Sequence, residues 1–75
     1  MIICEGFVEE NLPNTTFRVQ ITVCRDNPTL VSQTVLCHLA GKTRMNWVRL
    51  LPGDRVKLEV SPLDMTKGRV TFKLK

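Results

Sequence analysis

Residues 17–23 read FRVQITV, an unbroken alternation of apolar and polar side chains. Because successive side chains of an extended strand point to opposite faces, the four apolar residues would share one face and the three polar residues the other. One buried face and one solvated face are typical of an antiparallel sheet. The stretch therefore predicts a β-strand whose core residues are Phe17, Val19, Ile21 and Val23.

The same period of two recurs at four other places along the chain. These are residues 6–8, 35–39, 56–60 and 70–74, which predict the first, third, fourth and fifth strands. In the fifth strand the pattern places Val70, Phe72 and Leu74 on the core side. Clusters of proline, glycine, asparagine and aspartate predict turns or loops between the strands, at residues 12–15, 25–28, 51–54 and 66–68.

Residues 41–51 do not alternate. Their apolar side chains Met45, Val48 and Leu51 recur every three residues, which predicts one or two helical turns. The order strand, strand, strand, short helix, strand, strand is that of the OB-fold, an all-β, five-stranded antiparallel Greek-key barrel. An SH3-like barrel is the alternative, although it usually has no helix at that position. With 75 residues the chain is expected to form a single domain, 1–75.

Charge is distributed unevenly along the chain. Residues 1–41 contain two basic and four acidic side chains, whereas residues 42–75 contain nine basic and three acidic ones. The C-terminal part therefore carries a net charge of +6 against −2 for the rest, within a total of +4. A one-sided basic surface favours a polyanionic partner such as nucleic acid.

The sequence gives little support for an enzymatic function. His38 is the one histidine, and its neighbour Cys37 would point to the opposite face of a strand, so the two cannot pair for catalysis. The sequence contains no glycine-rich phosphate loop and no pairing of carboxylates that suggests acid–base catalysis. A domain of this size also has little room for a deep substrate pocket. We therefore expect a protein that is not an enzyme and needs no cofactor.

The chain has three cysteines, Cys4, Cys24 and Cys37, which is an odd number. No two of them lie at the sequence spacing of metal ligands. They match neither a disulfide framework nor a zinc site. We expect them to be small apolar core residues of a protein from a reducing compartment. No apolar run approaches the roughly 20 residues that a membrane span requires, so no membrane association is expected.

Two clusters of basic and amide side chains are candidates for RNA binding. Arginine grips phosphates bidentately and asparagine can read a base edge. The first cluster surrounds Trp47, which is itself expected to close the barrel mouth, and the second lies in the final hairpin. Their members are Lys42, Arg44, Asn46 and Arg49 in the first, and Lys67, Arg69 and Lys73 in the second. His38 could add a hydrogen-bonding group to the same face.

Longer motifs carry a resemblance to a known family. They are residues 5–6, 12–15 with 17–19, 37–42 with Arg44, Asn46 and Arg49, then 51–56, 61–64 and 66–70. Among them are LPNT at 12–15, HLAGK at 38–42, LPGDRV at 51–56 and TKGRV at 66–70. In this order they span nearly the whole chain, which resembles bacterial-type translation initiation factor one.

The resemblance implies an OB-fold that binds the small ribosomal subunit at the decoding (A) site. It implies that the protein blocks premature tRNA entry there, assists the two larger initiation factors, and has neither catalytic activity nor a cofactor. The expected partners are the rRNA and ribosomal proteins near that site, bound by a protein that is monomeric when free. The expected location is the bacterial cytoplasm or an organelle matrix such as the plastid stroma. The RNA contacts would be Lys42, Arg44, Asn46, Arg49, Lys67, Arg69 and Lys73.

The sequence departs from the family pattern at several points. Residues 22–36 are several residues longer than is usual between the second and third strands, and Met45 stands where a cation is common. Both fit a divergent bacterial or an organellar member. The alternative functions are a general single-stranded RNA binder or RNA chaperone of the cold-shock kind, and a protein-interaction barrel without nucleic-acid binding. The former usually exposes several aromatic residues on one strand, a pattern that this sequence lacks.

Overall fold

A computed structural model of the chain describes residues 1–39 and 50–74. The elements are β1 (Ile2–Leu12), β2 (Thr16–Val23), a short 3₁₀ helix (Pro28–Leu30), β3 (Thr34–Leu39), β4 (Arg55–Ser61) and β5 (Asp64–Lys73). The five predicted strands are therefore confirmed, and the first is much longer than its alternating stretch indicated. The helix predicted within residues 41–51 lies outside the described residues, apart from Leu50 and Leu51, which are not helical. In the described part of the chain, no helix is long and apolar enough to cross a membrane.

The strands form a closed barrel in the order β1-β2-β3-β5-β4. β1 pairs antiparallel with β2 along one edge and with β4 along the other, so it closes the sheet. β2 pairs antiparallel with β3, and β4 with β5, whereas β3 and β5 run parallel. This topology is that of the predicted five-stranded OB-fold barrel.

Gly6 allows β1 to approach β2 closely where the barrel bends. A Cβ atom at this position would overlap the backbone carbonyl oxygen of Gln20. The β1–β2 ladder is irregular on both sides of this point, with register shifts between Glu5 and Gly6 and between Val8 and Glu10. Glycines and β-bulges of this kind bend a strand and increase its local twist, which barrel closure requires.

The core is built from the inward-facing residues of all five strands. They are Cys4 and Val8 of β1; Phe17, Val19 and Ile21 of β2; Val35, Cys37 and Leu39 of β3; Val56, Leu58 and Val60 of β4; and Val70 of β5. Cys24, Leu30 and Leu50, which lie outside the strands, complete the cluster. The expectation that the cysteines are small core residues is confirmed, since all three are buried and free.

Val23 is the exception in β2, because it is 41% exposed although the alternation placed it in the core. Ile21 lies opposite Gly6 and Val23 lies opposite Glu5, so Thr22 is an extra residue in β2. This bulge reverses the alternation beyond it: Val23 points outward and Cys24 points inward.

The prediction that Phe72 belongs to the core is wrong for the same reason. Val70 lies opposite Leu58 and Phe72 lies opposite Lys57, so Thr71 is an extra residue in β5. The bulge turns Phe72 to the outer face, where 60% of it is exposed. Leu74 is half-buried, and only Val70 of the three predicted core residues is fully inside.

The turns expected at residues 12–15 and 51–54 are confirmed. Asn14 and Thr15 take positive φ values of 64° and 55°, and Gly53 has a φ of 93°. The turn expected at residues 66–68 is wrong, because these residues continue β5 and the chain reverses at Pro62 and Leu63. The sequence pattern failed here because Gly68 serves close strand packing: a Cβ atom there would lie 2.7 Å from the Glu59 carbonyl oxygen.

The long connection between β2 and β3 is tied to the barrel. Its 3₁₀ helix contributes Leu30 to the core cluster. Ser32 N–H donates to the Ile21 carbonyl at 2.7 Å, and Ile21 N–H donates to the Gln33 carbonyl at 2.9 Å. The additional residues therefore form an ordered extension of the β2 edge with its own core side chain.

Sequence alternation places both Val56 and Phe72 in the core, whereas the bulge at Thr71 turns Phe72 outward. The two residues should therefore contribute differently to stability. Val56→Ala removes buried methyl groups and should lower the free energy of unfolding by about 2 kcal/mol or more. Phe72→Ala removes a mostly exposed ring and should cost only about 0.5 kcal/mol. Urea unfolding followed by circular dichroism measures both values. Equal losses for the two variants would contradict the register of β5.

Candidate nucleic-acid interface

Strand pairing aligns a row of outward-facing residues around one side of the barrel. His38 of β3 lies between Thr16 of β2 and Arg69 of β5. Arg69 in turn lies opposite Glu59 of β4. Because directly opposed residues on one face of a sheet are in contact range, the histidine and the arginine present their polar groups side by side.

A second row runs beside the first. The exposed Leu36 of β3 lies between Arg18 of β2 and Lys67 of β5. Together the two rows give this outer surface, which we call the β3 face, three cations and a histidine around one apolar side chain. The members of the β3 face are Arg18, Leu36, His38, Lys67 and Arg69.

Two shallow clefts lie on the β3 face. One, of about 240 Å³, is lined by Met1, His38, Ser61, Lys67, Gly68 and Arg69. The other, of about 350 Å³, is lined by Arg18, Thr34, Val35, Leu36 and Thr66. Open clefts edged by cations suit a displaced base and its phosphate.

Arg69 is held by an acidic partner. Its Nε donates to Glu59 Oε1 at 2.8 Å, and its second guanidinium contact to the same oxygen is also 2.8 Å. Both contacts use one carboxylate oxygen, so the guanidinium group keeps further N–H groups for an outside acceptor. Glu59 therefore orients Arg69 and also reduces the positive charge that it presents.

Lys73 does not lie on the β3 face, although simple alternation placed it beside Arg69. The bulge at Thr71 sets Lys73 opposite Val56, and its Nζ lies 3.3 Å from Asp54 Oδ2. Asp54 Oδ2 also accepts a hydrogen bond from the Leu51 backbone N–H at 2.9 Å. That backbone hydrogen bond, followed by Lys73, lowers the pKa of Asp54 below its ordinary value.

Lys67 is a predicted RNA contact that has no acidic ion-pair partner among the described residues. No carboxylate within residues 1–39 or 50–74 forms an ion pair with it at 4 Å or less. Asp64 is near enough for the lysine charge to contribute to the lowered pKa of its carboxyl, although hydrogen bonds from Thr66 are the main cause. Of the three cations of the β3 face, Lys67 is thus best placed to meet a phosphate, because Arg18 lies 3.8 Å from Glu10 and Arg69 is paired with Glu59.

The other predicted contacts, Lys42, Arg44, Asn46 and Arg49, lie outside the described residues, as does Trp47. The two ends of their segment are nevertheless fixed on the barrel. It begins directly after Leu39, the residue that follows His38 in β3. It returns at the buried Leu50, whose carbonyl accepts a hydrogen bond from the side-chain amide of Asn11 at 3.0 Å. Both ends of the basic segment are thereby anchored on the barrel, one of them next to the row that contains His38.

Sequence reasoning missed Arg18 and Leu36 as parts of the candidate site. Both were assigned only to strand faces, because alternation does not tell which strands become neighbours. The signal that could have found them is the parallel pairing of β3 with β5, which follows from the OB-fold topology and brings Leu36 beside Lys67.

The order of the strands and the cationic β3 face define the chain as a small OB-fold protein with features of a nucleic-acid binder. Among solved structures it is similar to the solution structure of translation initiation factor one from the Wolbachia endosymbiont strain TRS of Brugia malayi. The two share 35% identity over 97% of this chain and 77% of that one, with a TM-score of 0.69. The chain belongs to the translation initiation factor one family.

A second solved structure shows the fold alone. The crystal structure of YjeQ from Thermotoga maritima has a TM-score of 0.72 and 20% identity. The match covers 99% of this chain but 23% of YjeQ. No family model matches the sequence.

The lowered pKa of Asp54 predicts a pH dependence of stability. Because its pKa is lowered on folding, the stabilisation is present above the ordinary pKa of 3.8 and is lost as the pH falls through the folded value. Asp54→Asn should therefore flatten the fall in unfolding free energy below about pH 5, measured by urea titration at several pH values. Lys73→Met keeps the larger contribution from Leu51 and should retain most of the dependence. An unchanged pH profile for Asp54→Asn would contradict this assignment.

Proposed function

We propose that the protein is a non-enzymatic translation initiation factor that binds the small ribosomal subunit at the decoding (A) site. Membership of the translation initiation factor one family, together with the cations of the β3 face, is the observation that carries this proposal. Lys67 and Arg69 project from one surface, and the segment whose sequence contains Lys42, Arg44 and Arg49 begins after Leu39, the residue that follows His38 on that surface. Clustered cations of the β3 face fit rRNA phosphates.

Binding would work through position and charge. Lys67 supplies a point charge to a phosphate, whereas Arg69 offers planar N–H groups to a phosphate or to the face of a base. Asn46 can read a base edge, and the exposed Leu36 gives a displaced base an apolar contact. A barrel seated on the decoding site excludes a tRNA by occupying its place. The proposal includes assistance to the two larger initiation factors, contacts with neighbouring ribosomal proteins, and no cofactor. It places the protein, monomeric when free, in a bacterial cytoplasm or an organelle matrix.

A general binder of single-stranded RNA is the second candidate, and the exposed ring of Phe72 is the observation that favours it. Such proteins stack successive bases on several aromatic side chains. Among the described aromatic residues, Phe7 is half-buried and Phe17 is buried. Phe72 lies opposite Lys57 on β4 and follows the part of β5, Lys67 to Val70, that pairs with β3 in the described residues. Within residues 1–39 and 50–74 this leaves one exposed ring, and one stacking position suits one displaced base better than a coated strand.

Lys67→Ala tests whether the β3 face binds rRNA. The variant should bind isolated bacterial-type small subunits more weakly, and the slope of log affinity against log salt should become less steep by about 0.7 to 0.9. Arg25→Ala removes the same charge from the loop after β2 and should leave both quantities unchanged. Filter binding at several salt concentrations gives affinity and slope together. Parental affinity and slope for Lys67→Ala would place the contact elsewhere.

Glu59→Gln tests the restraint on Arg69. Without the carboxylate charge, Arg69 presents its full charge to RNA, so subunit affinity should rise and the salt slope should steepen by up to about 0.9. Glu9→Gln is the matched control, because it removes one negative charge while its side-chain oxygen can still accept from Thr34 Oγ1. A weaker affinity for Glu59→Gln would show that Glu59 acts only by orienting Arg69. An effect equal to that of Glu9→Gln would assign the change to net charge.

A further inference from the structure

Two buried thiols meet at one end of the β1–β2 ladder. Cys4 Sγ lies 2.9 Å from Cys24 Sγ, although the residues are 20 positions apart in the chain. They are 2% and 4% exposed. The neighbouring residues Glu5 and Val23 are paired across the two strands, so the thiols occupy the next position along the same ladder.

The bulge at Thr22 creates this contact. Regular alternation would put Cys24 on the outer face together with Thr22 and Gln20. The extra residue reverses the pattern, turns Val23 outward and directs Cys24 into the barrel against Cys4. A backbone irregularity therefore places two sulfur atoms in contact that the alternation would have separated.

One member of the buried sulfur pair, Cys4, borders a surface cleft. An open cleft of about 330 Å³ reaches Cys4, and its other lining residues are Ile3, Glu5, Val23, Arg25, Asp26 and Lys57. The cleft is large enough for a small oxidant. Its two basic side chains, Arg25 and Lys57, are balanced by the acidic Glu5 and Asp26. The cleft lining therefore has no net charge, which suits an uncharged oxidant such as hydrogen peroxide.

The hydrogen bond between the sulfur atoms holds them in contact. The Cys4 thiol donates to the Cys24 sulfur. Burial, together with this contact, raises the pKa of Cys4 to about 12. The contact between the two sulfur atoms, and not an acidic thiol, is therefore the feature that favours their joining. Cys37, whose pKa burial also raises to about 12, provides a reference thiol within the same barrel.

We propose that Cys4 and Cys24 are an oxidative modification site that closes to a disulfide in the presence of a hydroperoxide. One of the two thiols loses its proton as its sulfur attacks a peroxide oxygen, the O–O bond breaks, and a sulfenic acid forms with release of water. The other thiol then loses its proton as its sulfur attacks the sulfenic sulfur, and the S–O bond breaks to release a second water molecule. In sum, two thiols and one hydrogen peroxide give one disulfide and two water molecules.

The geometry requires little movement for this closure. The sulfur atoms must approach by only about 0.9 Å from their 2.9 Å separation to reach the length of a disulfide bond. The bond would join the start of β1 to the residue that follows β2. It would thereby fix the long β2–β3 connection to the strand that closes the barrel.

Oxidation of the intact chain with hydrogen peroxide tests the proposal. Titration of free thiols in denaturant should fall from three to one, reversibly with dithiothreitol. Peptide mapping should find Cys4 linked to Cys24 and Cys37 still reduced. Closing this loop should also raise the melting temperature by roughly 10 °C. A disulfide that involves Cys37, or retention of all three thiols while peroxide oxidises an unfolded sample, would overturn the proposal.

Serine variants separate the native pair from random pairing. Cys37→Ser should form the disulfide at the parental rate, whereas Cys4→Ser and Cys24→Ser should form no intramolecular disulfide. In each of these two variants, a sulfenic acid on the remaining cysteine of the pair should be trapped by dimedone, because its partner thiol is absent. Slow closure in Cys37→Ser, or a Cys24–Cys37 bond in Cys4→Ser that forms as fast as the native bond, would contradict a site built by the β1–β2 ladder.

Discussion

Barrel closure by β1 is the constraint on which the rest of the structure depends. A strand of 11 residues pairs with β2 on one edge and with β4 on the other, and so leaves the small sheet without open edges. Gly6 makes the close approach to β2 possible, since any side chain there would strike the Gln20 carbonyl. A chain of 75 residues has a small core, and closure lets every strand contribute to it.

The irregularities that accompany closure also decide what the surface offers. The bulge at Thr22 directs Cys24 inward, against Cys4, and the bulge at Thr71 turns Phe72 outward. It also moves Lys73 away from Arg69 and towards Asp54. The parallel pairing of β3 with β5, in contrast, brings Lys67 beside Leu36 and Arg69 beside His38, although the paired residues are far apart in sequence.

Much of this fold follows from the period of two in the sequence. The five strands, the turns before β2 and β4, and core residues such as Val19 and Val56 all follow from alternation and turn chemistry. Alternation predicts the wrong face for Val23 and Phe72, because one extra residue in each strand reverses the pattern and no residue type in the sequence indicates the bulge. Tertiary structure gives the predicted cations different environments. Strand pairing, which local sequence does not encode, couples Arg69 to Glu59 and leaves Lys67 outside any described ion pair.

We propose that the β3 face binds the decoding site of the small ribosomal subunit. Co-sedimentation of the protein with isolated bacterial-type small subunits, with and without a ligand in the A site, tests this proposal. We expect one protein to bind per subunit, and we expect a ligand in the A site to abolish that binding. Binding that is unaffected by A-site occupation, or no binding at all, would contradict it.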